Sequence, residues 1–296
     1  IGLSTLSIIN KKNFSINLLS ANKNYKLICA QIIRYKPKFF IITDKIIFKK
    51  VKKKFKKKKT KLLNNFNSIK DIKKTDITIA AIPGISGLEP TIKMISKSRK
   101  ILLANKESII CGWQLIKKEA KKNKTLLVPV DSEHYSILKL LENKKIKEIK
   151  KIYITASGGP FLNYKINQLK KVTPQEALRH PKWKMGKKIS IDSATMMNKV
   201  FEVIEAKKIF NLDLDKFKVV THPKSYVHAI VKFKNGLTKI LIHDTDMKIP
   251  IFNSIYLDKV KNIKSEKINL NNLNNLDFKM VNIKKISFIK IDQKNP

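Results

Sequence analysis

The chain has 296 residues, 43% of them hydrophobic, and a formal net charge of +42. That length is enough for two domains with cores of their own, and that apolar content excludes a disordered chain. No apolar run approaches the roughly 18 residues of a membrane span, and no signal peptide is visible. Only two cysteines are present, Cys29 and Cys111, which excludes a disulfide framework and makes a cytoplasmic location the expectation. The charge at face value suggests nucleic acid. Yet only three of the 64 basic residues are Arg (Arg34, Arg99 and Arg179), and Arg is the side chain of bidentate base and phosphate contacts. Abundant Lys, Asn and Ile read instead as A/T-rich coding over a solvated surface. No specific nucleic-acid partner and no membrane are expected, with salt-sensitive non-specific binding still open.

Along the chain, Ile16–Ser20 reads as a strand, Tyr25–Tyr35 as a helix and Phe39–Thr43 as a strand. The segment Lys45–Leu63 holds the block KKVKKKFKKKKTK, read as a solvated helix face. Asp76–Ile82 is a strand running into PGISG and the helical stretch Leu88–Ser98, and Lys100–Ala104 is the next strand. Alternating strands and helices with unbroken apolar runs predict a Rossmann-like, doubly wound parallel sheet over residues 1–125. Ligands then gather beyond the carboxyl ends of the strands, at Ser20–Asn24, Ile82–Gly87 and Ala104–Ser108. After residue 125 come strands Leu126–Val130 and Ile152–Thr155 with a helix between them. A polar stretch from Ser157 to Lys188 leads to a helix over Ser193–Phe210. Strands follow in KVVTH, YVHAIVKF and LTKILIH. Residues 126–296 are expected to form an α+β catalytic domain ending in the loop-like KIDQKNP.

Four blocks carry chemistry. In VPVDSEHY, Asp131 and Glu133 stand two apart where a strand gives way to a helix, so both carboxylates can meet one point. That suits a hard cation such as Mg²⁺ or Mn²⁺. A plain helix cap by Asp131 or Ser132 explains the pair equally well. In IDSATMMNKVFEVIEA, Asp192 or Ser193 is read as a cap and Met196, Val200 and Val203 as a core stripe. Asn198 and Glu202 stack four apart, with Glu205 positioned to support Glu202. Ser193, Asn198 and Lys199 read either as an anion pocket at a helix start or as ordinary surface polars. TASGGPF offers Ser157 before two glycines, a close approach for a phosphate or an ordinary turn. HPKWKMGKK places Trp183 in a polar loop near 180–188, either a water-excluding lid or a locally packed tryptophan. His134, His222, His228 and His243 are read as structural or unassigned.

Together, LLANKES, PVDSEH, SGGPF, RHPKWKMGKKISIDSATMMNK and IEA resemble the 1-deoxy-D-xylulose 5-phosphate reductoisomerase family, in its order and spacing. The resemblance implies conversion of 1-deoxy-D-xylulose 5-phosphate to 2-C-methyl-D-erythritol 4-phosphate with NADPH and a divalent metal, in non-mevalonate isoprenoid biosynthesis. By the same resemblance Asp131, Glu133 and Glu202 would be metal ligands. Lys106, Ser132, Ser157, His180, Ser193, Asn198 and Lys199 would hold the substrate, with its phosphate on Ser157, Ser193, Asn198 and Lys199. Ile1, Asn22, Lys23, Asn24, Asn105, Glu107 and Gly186 would lie along NADPH. Trp183 and Met185 would belong to the lid, and a homodimer is implied.

Two departures qualify the resemblance. Only Ile1-Gly2 remains of the family's GSTGSIG turn, and Asn22 stands where the family has Gly, a mild change because Asn tolerates a left-handed backbone. The expectation is that the first Rossmann strand, most of that turn and the family's C-terminal helical domain lie outside this sequence. The competing readings are a truncated, non-catalytic remnant and a lysine-rich nucleic-acid-binding module.

Overall fold

The computed structural model describes residues 1–9, 13–69, 71–169, 172–180, 183, 186–256, 262–263 and 267–281. The tail KIDQKNP lies outside the described residues. The first half runs α1 (Gly2–Ile8), β1 (Leu18–Ala21), α2 (Tyr25–Tyr35), β2 (Phe39–Ile42), α3 (Lys45–Lys54), β3 (Lys61–Leu63), β4 (Thr75–Ala80), α4 (Leu88–Ile95), β5 (Ser98–Leu103), α5 (Lys106–Asn123) and β6 (Leu126–Pro129). It continues through α6 (Ser132–Leu140), β7 (Ile149–Ala156), α7 (Ile166–Leu169), α8 (Pro174–Ala177), α9 (Lys187–Ala194) and α10 (Met197–Phe210). The last stretch holds β8 (Phe217–Thr221), β9 (Val227–Phe233), β10 (Thr238–Ile242), α11 (Lys248–Ile255), α12 (Leu270–Asn274) and β11 (Lys279–Met280).

The N-terminal strands are parallel, as their unbroken apolar runs predict, and pair as two sheets, β1-β2-β3 and β4-β5-β6. One core joins them: Ile41 and Leu63 of the first sheet pack with Ala80, Ile101 and Leu103 of the second and with Ile109 and Ile116 of α5. Successive strand residues point to opposite faces. Phe40 and Ile42 therefore enter a second core, under Ile28 and Ile32 of α2 and Val51 of α3. Leu102 and Val128 likewise meet Ile251, Phe252 and Ile255 of α11 on the far face. Both faces are covered, which is the doubly wound arrangement. The lysine block is solvated as expected, but its helix stops at Lys54 because Phe55 turns into the α2–α3 core, and β3 follows as an edge strand. β6 pairs with β5, and α11 returns from the far half onto this layer. β6, through Pro129, thus belongs to the first layer.

The second layer is a mixed sheet of order β10-β9-β7-β8-β11, in which only β7 and β8 are parallel. α6 and α10 cover it through Ile137, Leu140, Ala206 and Phe210. The helix expected over 193–210 is in fact two helices. The Thr195 hydroxyl donates back to the Ile191 carbonyl at 3.0 Å and Met196 turns to φ +61°, so α9 ends and α10 starts afresh. Asp192 and Ser193 therefore lie in the last turn of α9 and cap nothing. The expected core stripe of Met196, Val200 and Val203 is only half-buried. The buried face of α10 is Lys199, Glu202, Glu205, Ala206 and Phe210. Those charges are buried because α5 and α6 bring countercharges against them.

Candidate active site

The site forms where loops leave the carboxyl ends of β4, β5 and β6, the edge at which open parallel sheets take ligands. Asn105, fully enclosed after β5, links these loops. Its Oδ1 accepts the Ser108 N–H at 2.7 Å, capping α5, and its amide donates to the carbonyls of Ile82 and, at 2.8 Å, Gly84. Gly87 permits this approach, since a Cβ there would overlap the Asn105 amide and the Ile82 carbonyl. Lys106, the first residue of α5, is thereby aimed at α10.

Asp131 does cap α6, accepting the Glu133 N–H at 3.2 Å, and so satisfies the helix-cap reading. It also joins a cluster, because Asp131, Glu133 and Glu202 each place a carboxylate oxygen within 4.8 Å of the others. Two ammonium groups sit among them. Lys199 Nζ lies 2.5 Å from Glu133 Oε1 and 2.6 Å from Glu202 Oε2. Lys106 Nζ lies 3.5 Å from both Asp131 and Glu202 and donates to Asn198 Oδ1 at 2.7 Å. The Asn198 amide in turn donates to Glu202, and the Ser132 hydroxyl donates to Glu133. Behind the cluster, His134 is wholly enclosed. Its Nδ1 faces Asp131 at 3.1 Å and Glu205 at 3.5 Å, while its Nε2 donates to the Glu202 carbonyl at 2.8 Å.

Burial and charge pull these groups apart in acidity. Burial pushes the Asp131 carboxyl up, but Lys106 and His134 beside it hold it well below its ordinary value. Burial and then the charge of Glu133 carry Glu202 up to about 7, against the pull of Lys199 and Lys106. Glu205 also rises to about 7, mainly through burial, with His134 opposing. Burial works against both lysines, yet the surrounding carboxylates raise them above their ordinary value, so both stay charged. Burial likewise opposes the charged form of His134, but Glu205 and Asp131 raise it to about 10. Four carboxylates facing two ammonium groups leave a deficit of two positive charges when all are ionised, and His134 makes up part of it. An all-oxygen donor set without thiolate is the kind that takes Mg²⁺ or Mn²⁺.

A second group of polar residues lies across a turn. Gly159 packs so tightly on the end of α9 that a Cβ there would come within 2.8 Å of the Ser193 carbonyl, which brings the SGG turn and Ser193 together. Ser157 Oγ accepts the Gly159 N–H at 3.2 Å and lies 3.0 Å from His180 Nε2. His180 Nδ1 accepts the Trp183 N–H at 2.8 Å, so the ring hydrogen of the neutral imidazole resides on Nε2 and points at Ser157. Burial, then Lys199, lowers the His180 pKa and favours that neutral form. The Ser157 hydroxyl hydrogen is then left to donate outward, as an anion site requires.

The remaining expected residues are more dispersed. Asn22, Lys23 and Asn24 are exposed after β1, with Asn24 capping α2 at 3.0 Å. Ile1 is 39% exposed at the start of α1. Glu107 pairs with Lys188 at 2.9 Å, and Gly186 precedes α9. Met185 lies outside the described residues. Sequence reasoning left His134 unassigned and gave Glu205 only a supporting place, whereas the fold seals both behind the acidic cluster. The spacing of three residues from Asp131 to His134, and from Glu202 to Glu205, was the available signal.

The family model described as 1-deoxy-D-xylulose 5-phosphate reductoisomerase matches residues 1–112, and the model of that enzyme's C-terminal domain matches residues 127–210. A 1-deoxy-D-xylulose 5-phosphate reductoisomerase from Pelagibacter ubique (strain HTCC1062) is 53% identical over 297 residues, spanning 98% of this chain and 76% of the relative. The chain belongs to the 1-deoxy-D-xylulose 5-phosphate reductoisomerase family. The reductoisomerase of Clostridium novyi (strain NT) is 40% identical over 98% of this chain and 77% of its own length. Among solved structures, the Zymomonas mobilis reductoisomerase in complex with NADPH superposes with a TM-score of 0.86 at 32% identity, over 97% of this chain and 75% of that one. A DOX-P reductoisomerase in complex with NADPH, fosmidomycin and magnesium gives 0.87 at 33% identity, over 97% and 74%.

Proposed function

We propose that this chain converts 1-deoxy-D-xylulose 5-phosphate to 2-C-methyl-D-erythritol 4-phosphate with NADPH and Mg²⁺ or Mn²⁺, a step of non-mevalonate isoprenoid biosynthesis. The observation that carries this reading is the cluster of Asp131, Glu133 and Glu202 around two ammonium groups, in a chain of this family. Those three carboxylates would hold the cation, and the charge deficit described above fits it. When bound, the cation supplies Lewis acidity to the substrate's carbonyl and hydroxyl oxygens. NADPH supplies the hydride.

The chain's own residues do the rest. Lys106, freed from Asn198, is a fixed positive charge for the oxygen on which negative charge grows. Ser132 orients Glu133, and His134 with Glu205 holds Asp131 and the α10 backbone in register. Ser157, Ser193, Asn198 and Lys199 present hydroxyl, amide and ammonium donors to the phosphate. Neutral His180 holds the Ser157 oxygen, so that the serine hydrogen points outward. Trp183 is assigned to excluding water from the reacting carbons. Ile1, Asn22, Lys23, Asn24, Asn105, Glu107 and Gly186 are assigned to NADPH; of these, Asn22–Asn24 follow the carboxyl end of β1 and Asn105 and Glu107 that of β5.

We divide the chain functionally at residue 125, mainly nucleotide before and mainly metal and substrate after, with Lys106 and Gly186 each serving the other half and β6 still paired with the first layer. A homodimer and a cytoplasmic location complete the proposal. No described helix is long and apolar enough to cross a membrane, and both cysteines are free. The test is nicotinamide absorbance on mixing protein, NADPH and 1-deoxy-D-xylulose 5-phosphate. Loss of absorbance that depends on Mg²⁺ or Mn²⁺ is expected, and its absence with either metal overturns the assignment. Light scattering reads the oligomeric state.

A further inference from the structure

β9 and β10 pair with one irregularity. Leu241 faces Ala229 and Ile242 faces Val227, so His228 has no residue opposite it in the ladder. An extra residue of this kind forms a bulge, which re-aims its side chain. The Thr155 hydroxyl, two residues before Ser157, bonds the bulge carbonyls of Val227 at 2.7 Å and His228 at 3.1 Å. The bulge is therefore tied to the strand that delivers the SGG turn.

His228 donates from Nε2 to the His243 carbonyl at 3.0 Å, and the two imidazoles stack with centroids 3.7 Å apart and planes within 16°. His243 donates from Nδ1 to the Asp244 carbonyl at 2.7 Å. Its Nε2 is buried with no hydrogen-bond partner among the described residues. A buried nitrogen lone pair left unmatched costs free energy. The one hydrogen bond that His243 makes, from Nδ1, is within reach of an amide side chain, whereas the stack on His228 uses the ring itself. Burial lowers the pKa of both histidines, so two neutral rings face each other without repulsion. His228 also meets the Trp183 indole edge-on, with centroids 6.2 Å apart at 66°. Trp183 is thus held twice, by its backbone on His180 and by its indole on His228.

We propose that His243 is a positioning residue for the reductoisomerase reaction: stacked on the His228 bulge, it fixes the imidazole against which Trp183 rests beside Ser157 and His180. This role rests on the functional reading above. Trp113 and Trp183 are the two tryptophans, so a W113F background leaves Trp183 as the only indole reporter. In that background and in the otherwise complete protein, His243→Ala is expected to shift Trp183 emission to the red and to raise its quenching by acrylamide. It should raise KM for the phosphorylated ketose about fivefold to tenfold, the worth of one aromatic pair. kcat should stay within about twofold. His243→Phe, which keeps a stacking ring, is expected to restore both the emission and KM. Unchanged emission and KM in His243→Ala overturn the proposal. So does His243→Phe behaving like His243→Ala while both melt at the wild-type temperature. If His243→Ala does not fold, His243→Asn removes the ring while keeping a donor for Asp244, and the same two outcomes are read from it. The emission arm needs no substrate. A wild-type protein without turnover therefore fails the functional reading, while the emission of His243→Ala still decides for or against the column.

Discussion

Gly159→Ala tests whether the SGG turn and the end of α9 form one binding surface. Gly159 has φ +66°, a conformation that costs an L residue about 1–2 kcal/mol. The added Cβ would also sit 2.8 Å from the Ser193 carbonyl oxygen and 3.2 Å from the Ala194 Cα. Both obstacles are backbone atoms, so no side chain can rotate away. The turn and the helix end must separate by the roughly 0.6 Å that the contact with Ser193 falls short of ordinary packing. Misplacing a binding group by about 1 Å costs about a hundredfold, so this separation of Ser157 from Ser193 predicts about a tenfold loss in kcat/KM for the phosphorylated ketose. NADPH affinity should fall less than kcat/KM, because of the residues assigned to NADPH only Gly186 and, through Lys188, Glu107 adjoin α9, at the end opposite Ser193. Gly236→Ala is the control: its φ is +91°, but its Cβ would meet nothing within 4 Å. It should lose stability by a similar strain and keep full activity. Steady-state kinetics and urea melts on both variants separate the two effects. Gly159→Ala with kcat/KM within about twofold of wild type would refute the reasoning, as would Gly236→Ala losing as much activity as Gly159→Ala.

Glu202→Gln should lower turnover by at least about a hundredfold while leaving the thermal melt close to wild type. Lys106 keeps Asn198 and Asp131, and Lys199 keeps Glu133, so neither ammonium is stranded; retained activity would remove Glu202 from the metal site. Mg²⁺ affinity, read by calorimetry, should rise about tenfold per pH unit below about 7 and level off above it, because the cation must displace the proton that burial and Glu133 keep on Glu202. The same raised carboxyl binds more protons folded than unfolded between 4.5 and about 7. The metal-free protein should therefore lose stability as pH rises through that window, and excess Mg²⁺ should offset the loss. Phe40→Ala, in the fully enclosed core under α2 and α3, should cost about 3–5 kcal/mol in denaturant unfolding without altering kcat.

Most of the alternation of strands and helices was legible in the chain, because parallel strands buried on both faces need continuous apolar runs such as FFII and KILL. The helix Tyr25–Tyr35 ends where its pattern says, with Lys36 in a left-handed conformation. The break between α9 and α10 was not legible. It depends on a threonine hydroxyl bonding back into its own helix, a local competition that periodicity does not register. The acidic pair at Asp131 and Glu133 was visible by spacing, but spacing could not decide between a cap and a cation site. The tertiary structure shows that Asp131 caps α6 through one oxygen and also joins Glu133 and Glu202 around Lys106 and Lys199, so the cap does not exclude the cation site.

By itself the sequence determined the parallel α/β layer, the family and the residues with oxygen donors, since these are written in local patterns and in one long specific run. Only the tertiary structure decided that His134 and Glu205 stand behind those donors. It likewise decided that Lys199 lies between two carboxylates, and that a bulge stacks His228 on His243. Each of these is a contact between residues distant in the chain or on different faces of a helix. The first two are settled by how α5, α6 and α10 share their buried charge and the third by the pairing of β9 with β10, and both are properties of packing rather than of any segment alone.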